Sequence, residues 1–461
     1  MIKLLLLYLF IFISKAQIQF QINNSQLTIS GNGYIQDFED ETLWNSYKEI
    51  VTSIVIHDSI TSIGNKAFFD FNHLETITLG KDITRIGKAA FYNTKIKSIH
   101  VPLSVKVIEE SAFQNCKYLE QITFEDNSQL ERIERKSFVQ CQKLKSIIFP
   151  SSLQIIEKEC FDGCENLQLI SIGSELKSIG DNCFVGCYQL SSLIVDERNT
   201  MFSSNNNILF SKDTKTLLFY PQGLKTKHFD IPEGVEKIER KAFKNSKLSS
   251  ITFPSTLTEI GESAFYMNNY LEMITIPSSI TLLDIMAFGC CKSLHTIFIH
   301  SEKITMKQFV FAGCDKLKSV YILTQSISEN FVCSSNVFDY SNQLNHISTL
   351  SKTNLGTINM ICGKTIQKHL LKDSEEESSN NHWMIDSTTN VLYLWGKQSL
   401  KQLTLLINEV DWKTKITTVV VEHGFTTIES SVFSGFMNVE KIQLPSSIVS
   451  LRDNVFNECS S

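Results

Sequence analysis

The sequence predicts a β-rich solenoid, in which coils of about 23 residues stack to form a long parallel sheet with little regular helix. One observation is a phenylalanine that recurs every 22 to 25 residues. Another is a small residue directly before it, and the last is the phrase Ile-Gly-x-x-Ala-Phe followed by Leu-x-x-Ile-x-Leu, as in 63–79. The recurring residues are Phe68, Phe91, Phe113, Phe138, Phe161 and Phe184, then Phe243, Phe265, Phe288 and Phe311, and finally Phe433 and Phe456.

Each half of the repeated phrase predicts its own local structure. The Leu-x-x-Ile-x-Leu half alternates and is rich in β-branched residues, which favours a short strand. Pro or Gly often follows it, as at Pro150, Gly173 and Pro277, and ends the pairing. Stacked strands then form one parallel sheet with about 4.8 Å per coil. For the Ile-Gly-x-x-Ala-Phe half we expect a brief strand or turn and one helical turn, with Phe filling the interior.

Two segments interrupt the period. Residues 196–230 contain two apolar runs, 208–210 and 217–221, separated by a polar stretch, which predicts an inserted β-hairpin. Residues 351–382 lose the repeat pattern and contain the acidic, serine-rich run 373–379, which predicts a polar linker.

The leader of the array occurs twice. Ile29 and Leu394, Gly31 and Gly396, and Phe68 and Phe433 are each 365 positions apart. We therefore expect a leader over 17–57, a repeat array over 58–350, and a second leader with the start of a second array over 383–461. A solenoid needs a distinct cap over its first coil, and the leader fits that role. The sequence stops at Ser461 within a coil, as a truncated product or a fragment would.

Residues 1–16 are typical of a secretory signal peptide. Lys3 precedes the apolar run Leu4 to Ile13, and small residues, Ser14 and Ala16, precede the cleavage position. The alternative is a buried first strand. No later run is apolar enough to span a membrane. Asn23 begins a single N-glycosylation sequon, Asn-Asn-Ser, which requires a eukaryotic host. The net charge of −6 and the scattered basic residues argue against a nucleic-acid partner.

Seven of the twelve cysteines occupy one slot, three residues after the recurring Phe. This placement favours small buried thiols in a ladder over a disulfide framework, although some bridging and, more remotely, a metal site remain alternatives. The histidines have no partner at a catalytic spacing, and Gly363-Lys364-Thr365 lacks the earlier Gly of a phosphate loop. We therefore predict no enzyme activity, no cofactor and no metal site. The slot residues are Cys116, Cys141, Cys164, Cys187, Cys291, Cys314 and Cys459.

Three features of the sequence resemble the BspA-type leucine-rich repeats. They are the phrase Ala-Phe-x-x-Cys-x-x-Leu-x-x-Ile, the Pro-Ser-Ser-Leu/Ile runs from Pro150, Pro277 and Pro445, and the leader Leu-Thr-Ile-Ser-Gly-Asn-Gly at 27–33. The resemblance covers roughly 27–350 and 383–461. It implies a leucine-rich-repeat solenoid in a secreted or surface-exposed protein of a bacterium or a parasitic protist, with adhesion to host cells or matrix as the expected role.

One side of each predicted strand faces outward, and most of its residues are small and polar. The exceptions are Ile148, Ile194, Phe298 and Tyr321, and Met273 should face the same way. Large apolar side chains on an open sheet predict a protein-binding patch, unless a flanking loop or the 325–350 segment covers them. The function predicted is non-enzymatic binding of a host surface or matrix protein, and the alternative is a passive structural or coat-forming solenoid without a specific ligand.

Overall fold

The computed structural model describes residues 18–39, 42–324, 327, 330–349, 360–368, 381–386, 390–396, 398–400, 413–421, 425–444 and 448–459. The proposed signal peptide, 1–16, lies outside them. The chain forms two compact units. The N-terminal unit comprises Met1–Lys225 and Ile238–Ser246, and the C-terminal unit comprises Thr226–Lys237 and Lys247–Ser461. The division thus follows the inserted segment rather than the predicted linker.

The N-terminal unit is a parallel β-solenoid, as predicted, with one long and one short strand in each coil. The long strands are Gln26–Ser30, Ser53–Ile56, Thr76–Thr78, Ser98–Val101, Gln121–Phe124, Ser146–Ile148, Leu169–Ile172 and Ser192–Val195. The short strands are Gly33–Tyr34, Ile60–Ile63, Arg85–Ile86, Val107–Ile108, Arg132–Ile133, Ile155–Ile156 and Ser178–Ile179. Gln19–Asn23 pairs antiparallel with the first long strand, and Asn45–Tyr47 is a 3-10 turn.

The C-terminal unit repeats this plan. Its long strands are His228–Asp230, Ser250–Thr252, Met273–Ile276, Thr296–Ile299, Ser319–Ile322, His346–Thr349 and Lys364–Lys368, and its short strands are Glu259–Ile260, Leu282–Leu283, Thr305–Met306 and Val332–Cys333. The duplicated part has Asn381–Asp386, Val391–Gly396, Thr418–Val421 and Lys441–Gln443 as long strands, and Gln398–Leu400, Phe425–Ile428 and Ser450–Leu451 as short ones. Lys237–Ile238 lies at the boundary of the two units.

The register places equivalent residues of successive coils side by side. In the long-strand sheet, Ile122 pairs with Ile99, and Ile147 pairs with Ile170. The recurring phenylalanines stack inside the coils, with ring centroids 5.3 Å apart between Phe138 and Phe161. In the leader, Trp44 stacks on Phe68 at 5.5 Å and donates a hydrogen bond from Nε1 to the Ala67 carbonyl at 2.8 Å. Trp44 therefore closes the open end of the phenylalanine stack, which is what a cap must do.

The turn that carries the recurring Phe is not helical, contrary to our expectation of one helical turn. Lys66 and Asp70 on either side of Phe68 have positive φ, 53° and 60°. The backbone N–H of Phe68 donates to the Ala90 carbonyl at 2.8 Å, and that of Asp70 donates to Tyr92 at 2.9 Å. Alternate amides of the turn thus bond to the next coil, and the amides between them, such as that of Phe69, bond within the turn. The stack therefore supplies partners that a helix would have supplied locally.

Besides Gln19–Asn23, antiparallel strands occur in three other places among the described residues. The predicted hairpin region 196–230 holds three antiparallel strands, Phe202–Asn205, Ile208–Ser211 and Thr216–Phe219. The range predicted as a polar linker contains strands Met360–Ile361 and Lys364–Lys368, which form a hairpin at the edge of the sheet. That part of the range is therefore not a linker, and 369–380 lie outside the described residues. Asn381–Asp386 pairs antiparallel with the duplicated strand that follows it.

The ladder cysteines are free thiols, and they act as hydrogen-bond donors. Cys164 donates from Sγ to the Phe138 carbonyl of the preceding coil at 3.2 Å, and the other six ladder thiols make the same bond. Where Ser341 takes the slot, its hydroxyl donates to the Phe311 carbonyl at 2.7 Å. Where Cys or Ser occupies the slot, a small side chain thus satisfies a buried carbonyl. In the first coil of each array the slot holds a buried phenylalanine instead, Phe71 or Phe436. A disulfide joins Cys333 and Cys362, neither of which is in the ladder.

Candidate binding surface on the strand face

The outward side of the long strands is here called the strand face. In Ser98–Val101 the second and fourth residues, Ile99 and Val101, are buried, whereas Ser98 and His100 are exposed. Because successive side chains of a strand alternate, the first and third positions of every long strand form two outward rows. The five predicted binding residues all belong to these rows.

In the N-terminal unit the strand face is open. Ile148 is 64 % exposed and Ile194 is 50 % exposed. Both take the third position of their strands, and Ser171 lies between them, paired in register with each. Apart from Val55, the other third-position residues of this unit are polar, so two large apolar side chains stand on a mostly polar row, as the sequence predicted.

Ion pairs line the starts of several long strands in this unit. Lys145 Nζ lies 3.0 Å from Glu120 Oε2, and Lys97 Nζ lies 2.6 Å from Glu75 Oε2. The hydrogen bond from Lys145 lowers the pKa of Glu120, and the hydrogen bond from Lys97 lowers that of Glu75. An exposed apolar centre beside a charged margin is the usual composition of a protein-binding surface.

In the C-terminal unit the strand face is covered. Phe298 is 0 % and Tyr321 is 3 % exposed, and Met273 is partly buried. These three residues, here called the aromatic patch, point outward from their own sheet as predicted, and Phe298 pairs in register with Tyr321. Our expectation that Phe298 and Tyr321 are exposed was wrong, because other strands of the same unit pack on them.

The strands of the second leader, Val391–Gly396 and Thr418–Val421, cover the aromatic patch. The ring of Tyr393 lies 4.5 Å from Phe298 in an edge-on contact and 5.8 Å from Tyr321, and Phe298 and Tyr321 stack on each other at 5.3 Å. Val420 completes the cluster and is 5 % exposed. Among the described residues, the strands that cover the patch are those of the duplicated leader.

An ion pair flanks this contact. Lys441 Nζ lies 3.6 Å from Glu272 Oε2, and both side chains are about half exposed, at 58 % and 52 %. An ion pair with this exposure contributes little to stability. Glu272 directly precedes Met273, so the pair brings charges of opposite sign together at the margin of the apolar contact.

Sequence reasoning missed Tyr393 and Val420 as partners of the aromatic patch. A signal was available in the duplication, because these residues correspond to Thr28 and Val55 of the first leader at the same offset of 365. The outward slot that holds a polar threonine in the first leader holds an aromatic residue in the second.

The sequon residue Asn23 is exposed at the end of the first strand. Asn24 and Ser25 follow it in a tight turn with φ of 47° and 65°. An acceptor site needs an accessible asparagine in an exposed loop. Whether the residue is glycosylated stays a prediction.

The described residues show no other site. Among them, no three His, Cys, Asp or Glu side chains are grouped so that they could hold a metal ion. No helix in the described part of the chain is long and apolar enough to cross a bilayer.

Comparison with solved structures identifies the same architecture. A leucine-rich cell surface protein from Faecalibacterium prausnitzii is 26 % identical, with 73 % of this chain and 94 % of that chain covered and a TM-score of 0.56. A leucine-rich repeat protein from Eubacterium ventriosum is 19 % identical, with 97 % and 94 % covered and a TM-score of 0.53. The pneumococcal vaccine antigen PcpA is 21 % identical, with 75 % and 88 % covered and a TM-score of 0.51.

A search among curated proteins found no match. The family model of the BspA type leucine-rich repeat region matches residues 44–130, 127–217, 215–345 and 410–461. Together these segments make up more than half of the chain. These segments contain the recurring Phe, the ladder cysteines and most of the outward rows of the strand face. The chain therefore belongs to the BspA type leucine-rich repeat family.

Proposed function

We propose that this protein is exported and acts outside the cell or on its surface as a non-enzymatic adhesin that binds a protein of host cells or matrix. Leucine-rich repeat solenoids of this family are typically non-catalytic scaffolds for protein interaction. The relative from Faecalibacterium prausnitzii is a cell surface protein. Export is further supported by the apolar segment 1–16 and by the Cys333–Cys362 disulfide, since such bonds persist in oxidising compartments.

The observation that carries the proposal is the open strand face of the N-terminal unit. Ile148 and Ile194 contribute nothing to the interior, and their exposure to water is unfavourable unless a partner covers them. Burial of one such side chain contributes about 2 kcal/mol, which corresponds to about 30-fold in affinity. The ion pairs at Glu120 and Glu75 would form the polar margin of that interface.

The test compares the double variant Ile148→Ser/Ile194→Ser with the wild-type chain. We would measure binding to immobilised fibronectin, laminin and collagen and to cultured epithelial cells. Ile50→Ser is the matched control, because Ile50 is 53 % exposed and lies outside the long strands. We expect binding by the wild type and the control, and loss of binding by the double variant without a change in the melting curve.

Two results would contradict the proposal. Full binding by the double variant would mean that Ile148 and Ile194 are not part of the binding site. Absence of binding by the wild type to every probe would favour the alternative of a structural or coat-forming solenoid.

A further inference from the structure

We infer that the aromatic patch is a docking surface whose occupant is the second leader of the same chain, and that this contact keeps the patch from other proteins. The occupant consists of the strands Val391–Gly396 and Thr418–Val421. The inference does not depend on the proposed function, because it concerns a different part of the strand face. It rests on the geometry of the contact and on the comparison of the two leaders.

The geometry is that of a formed interface between two sheets. Phe298, Tyr321 and Leu323 from the first array and Tyr393 and Val420 from the second leader make one buried cluster. The Tyr393 ring meets Phe298 at 4.5 Å with an interplanar angle of 63°, an edge-to-face arrangement that aromatic pairs favour. All of these side chains point away from the interior of their own coils, so the cluster forms only because one strand face packs on another.

The duplication provides an independent comparison. Both leaders have the same pairing: Gln26 lies opposite Ser53 and Val391 opposite Thr418, 365 positions later in both strands. Inward positions are apolar in both. The outward positions of the first strand differ, since Gln26 and Thr28 of the first leader correspond to Val391 and Tyr393 of the second.

The outward row of the first strand is therefore polar in the first leader and apolar in the second. The second strand keeps its pattern, since Val420 corresponds to Val55. Apolar residues occupy outward slots on both sides of the contact, at Phe298 and Tyr321 and at Val391 and Tyr393. Neither pair is needed for the interior of its own coil. Complementary changes on two surfaces indicate an interface and argue against an incidental contact.

This arrangement has a consequence for any other partner. An external protein can reach Phe298 and Tyr321 only after the second leader has moved away, so it must compete with a cover that is tethered to the same chain. A tethered competitor has a high effective concentration. The second leader therefore blocks the access of other proteins to the aromatic patch.

The experiment is hydroxyl-radical footprinting of the full chain, read residue by residue by mass spectrometry. In the wild type, Phe298 and Tyr321 should be protected. In Tyr393→Ser/Val420→Ser we expect their modification to rise about tenfold or more, because the aromatic contacts that hold the cover are lost. The matched control is Thr28→Ser/Val55→Ser, which changes the equivalent positions of the first leader and should leave Phe298 and Tyr321 protected.

Modification of Phe433, a core residue of the second array, reports whether the variant remains folded. If Phe433 also becomes modified, the inference is tested with the converse variant Phe298→Ser/Tyr321→Ser. In that variant, modification of Tyr393 should rise while Phe288 and Phe311 in the interior stay protected. The inference would be overturned if Phe298 and Tyr321 stayed protected in a folded Tyr393→Ser/Val420→Ser protein. It would also be overturned if Tyr393 stayed protected in the converse variant.

Discussion

Replacing Phe161 by alanine tests whether the recurring phenylalanines hold the coils together. Phe161 is fully buried in the N-terminal unit. Its ring stacks on Phe138 at 5.3 Å and on Phe184 at 6.0 Å, and it meets the edge of Phe149 at 5.7 Å. Alanine would remove the ring from the middle of the stack and leave a void that the hydrogen-bonded coils on both sides cannot close.

The expected loss is large. Truncation of a buried Phe to Ala typically costs about 3–5 kcal/mol, and the three ring contacts place Phe161 towards the upper end. Neighbouring coils stabilise one another in a solenoid, so the loss extends to the coils of Phe138 and Phe184. Phe69→Ala is a suitable control, because Phe69 is only half-buried and its ring stacks on Tyr92 alone, at 4.8 Å, among the ring contacts observed. We expect that control to lose about 1 kcal/mol.

The assay is urea unfolding of the full chain followed by far-UV circular dichroism. A loss of 3–5 kcal/mol should move the transition of the N-terminal unit to lower urea by about 1 M or more. Phe161→Leu should recover part of the loss, since leucine leaves a smaller void. If Phe161→Ala unfolded at the same urea concentration as Phe69→Ala, the interior stack would not be a main source of stability, and the reasoning would be refuted.

Two further predictions concern the cysteines. Burial raises the pKa of the Cys116 thiol to about 12, so Cys116 and the other five buried ladder thiols should react with a thiol reagent slowly at pH 8 and rapidly in denaturant. The partly exposed Cys290 and Cys459 should react first, and native-state labelling of the buried ladder thiols as fast as that of Cys290 would contradict this. The Cys333–Cys362 disulfide spans 29 residues, and the double serine variant should lose about 3–4 kcal/mol in unfolding experiments without reductant. Equal stability of that variant and the wild type would mean that the disulfide does not restrict the unfolded chain.

The repeated slots explain why so much of the fold could be predicted from the sequence. Each coil places the same residue types at the same positions. Because the coils pair in register, the side chains at one position point either into the interior or out of it along the whole stack. The Phe stack, the inward isoleucines and the thiol ladder follow from that constraint. The turn was harder, because its amides bond to the next coil, and a local pattern does not show which partner an amide will find.

The sequence by itself determined which residues point into the coils and which point out, because alternation along a strand fixes the two sides. It did not determine what lies on the outer side. Ile148 and Phe298 occupy the same outward slot and look alike in the sequence, yet Ile148 is 64 % exposed and Phe298 is 0 % exposed. Only the tertiary structure decided this difference, since it depends on where a distant segment, the second leader, packs, and the pattern of a single strand contains no information about that contact.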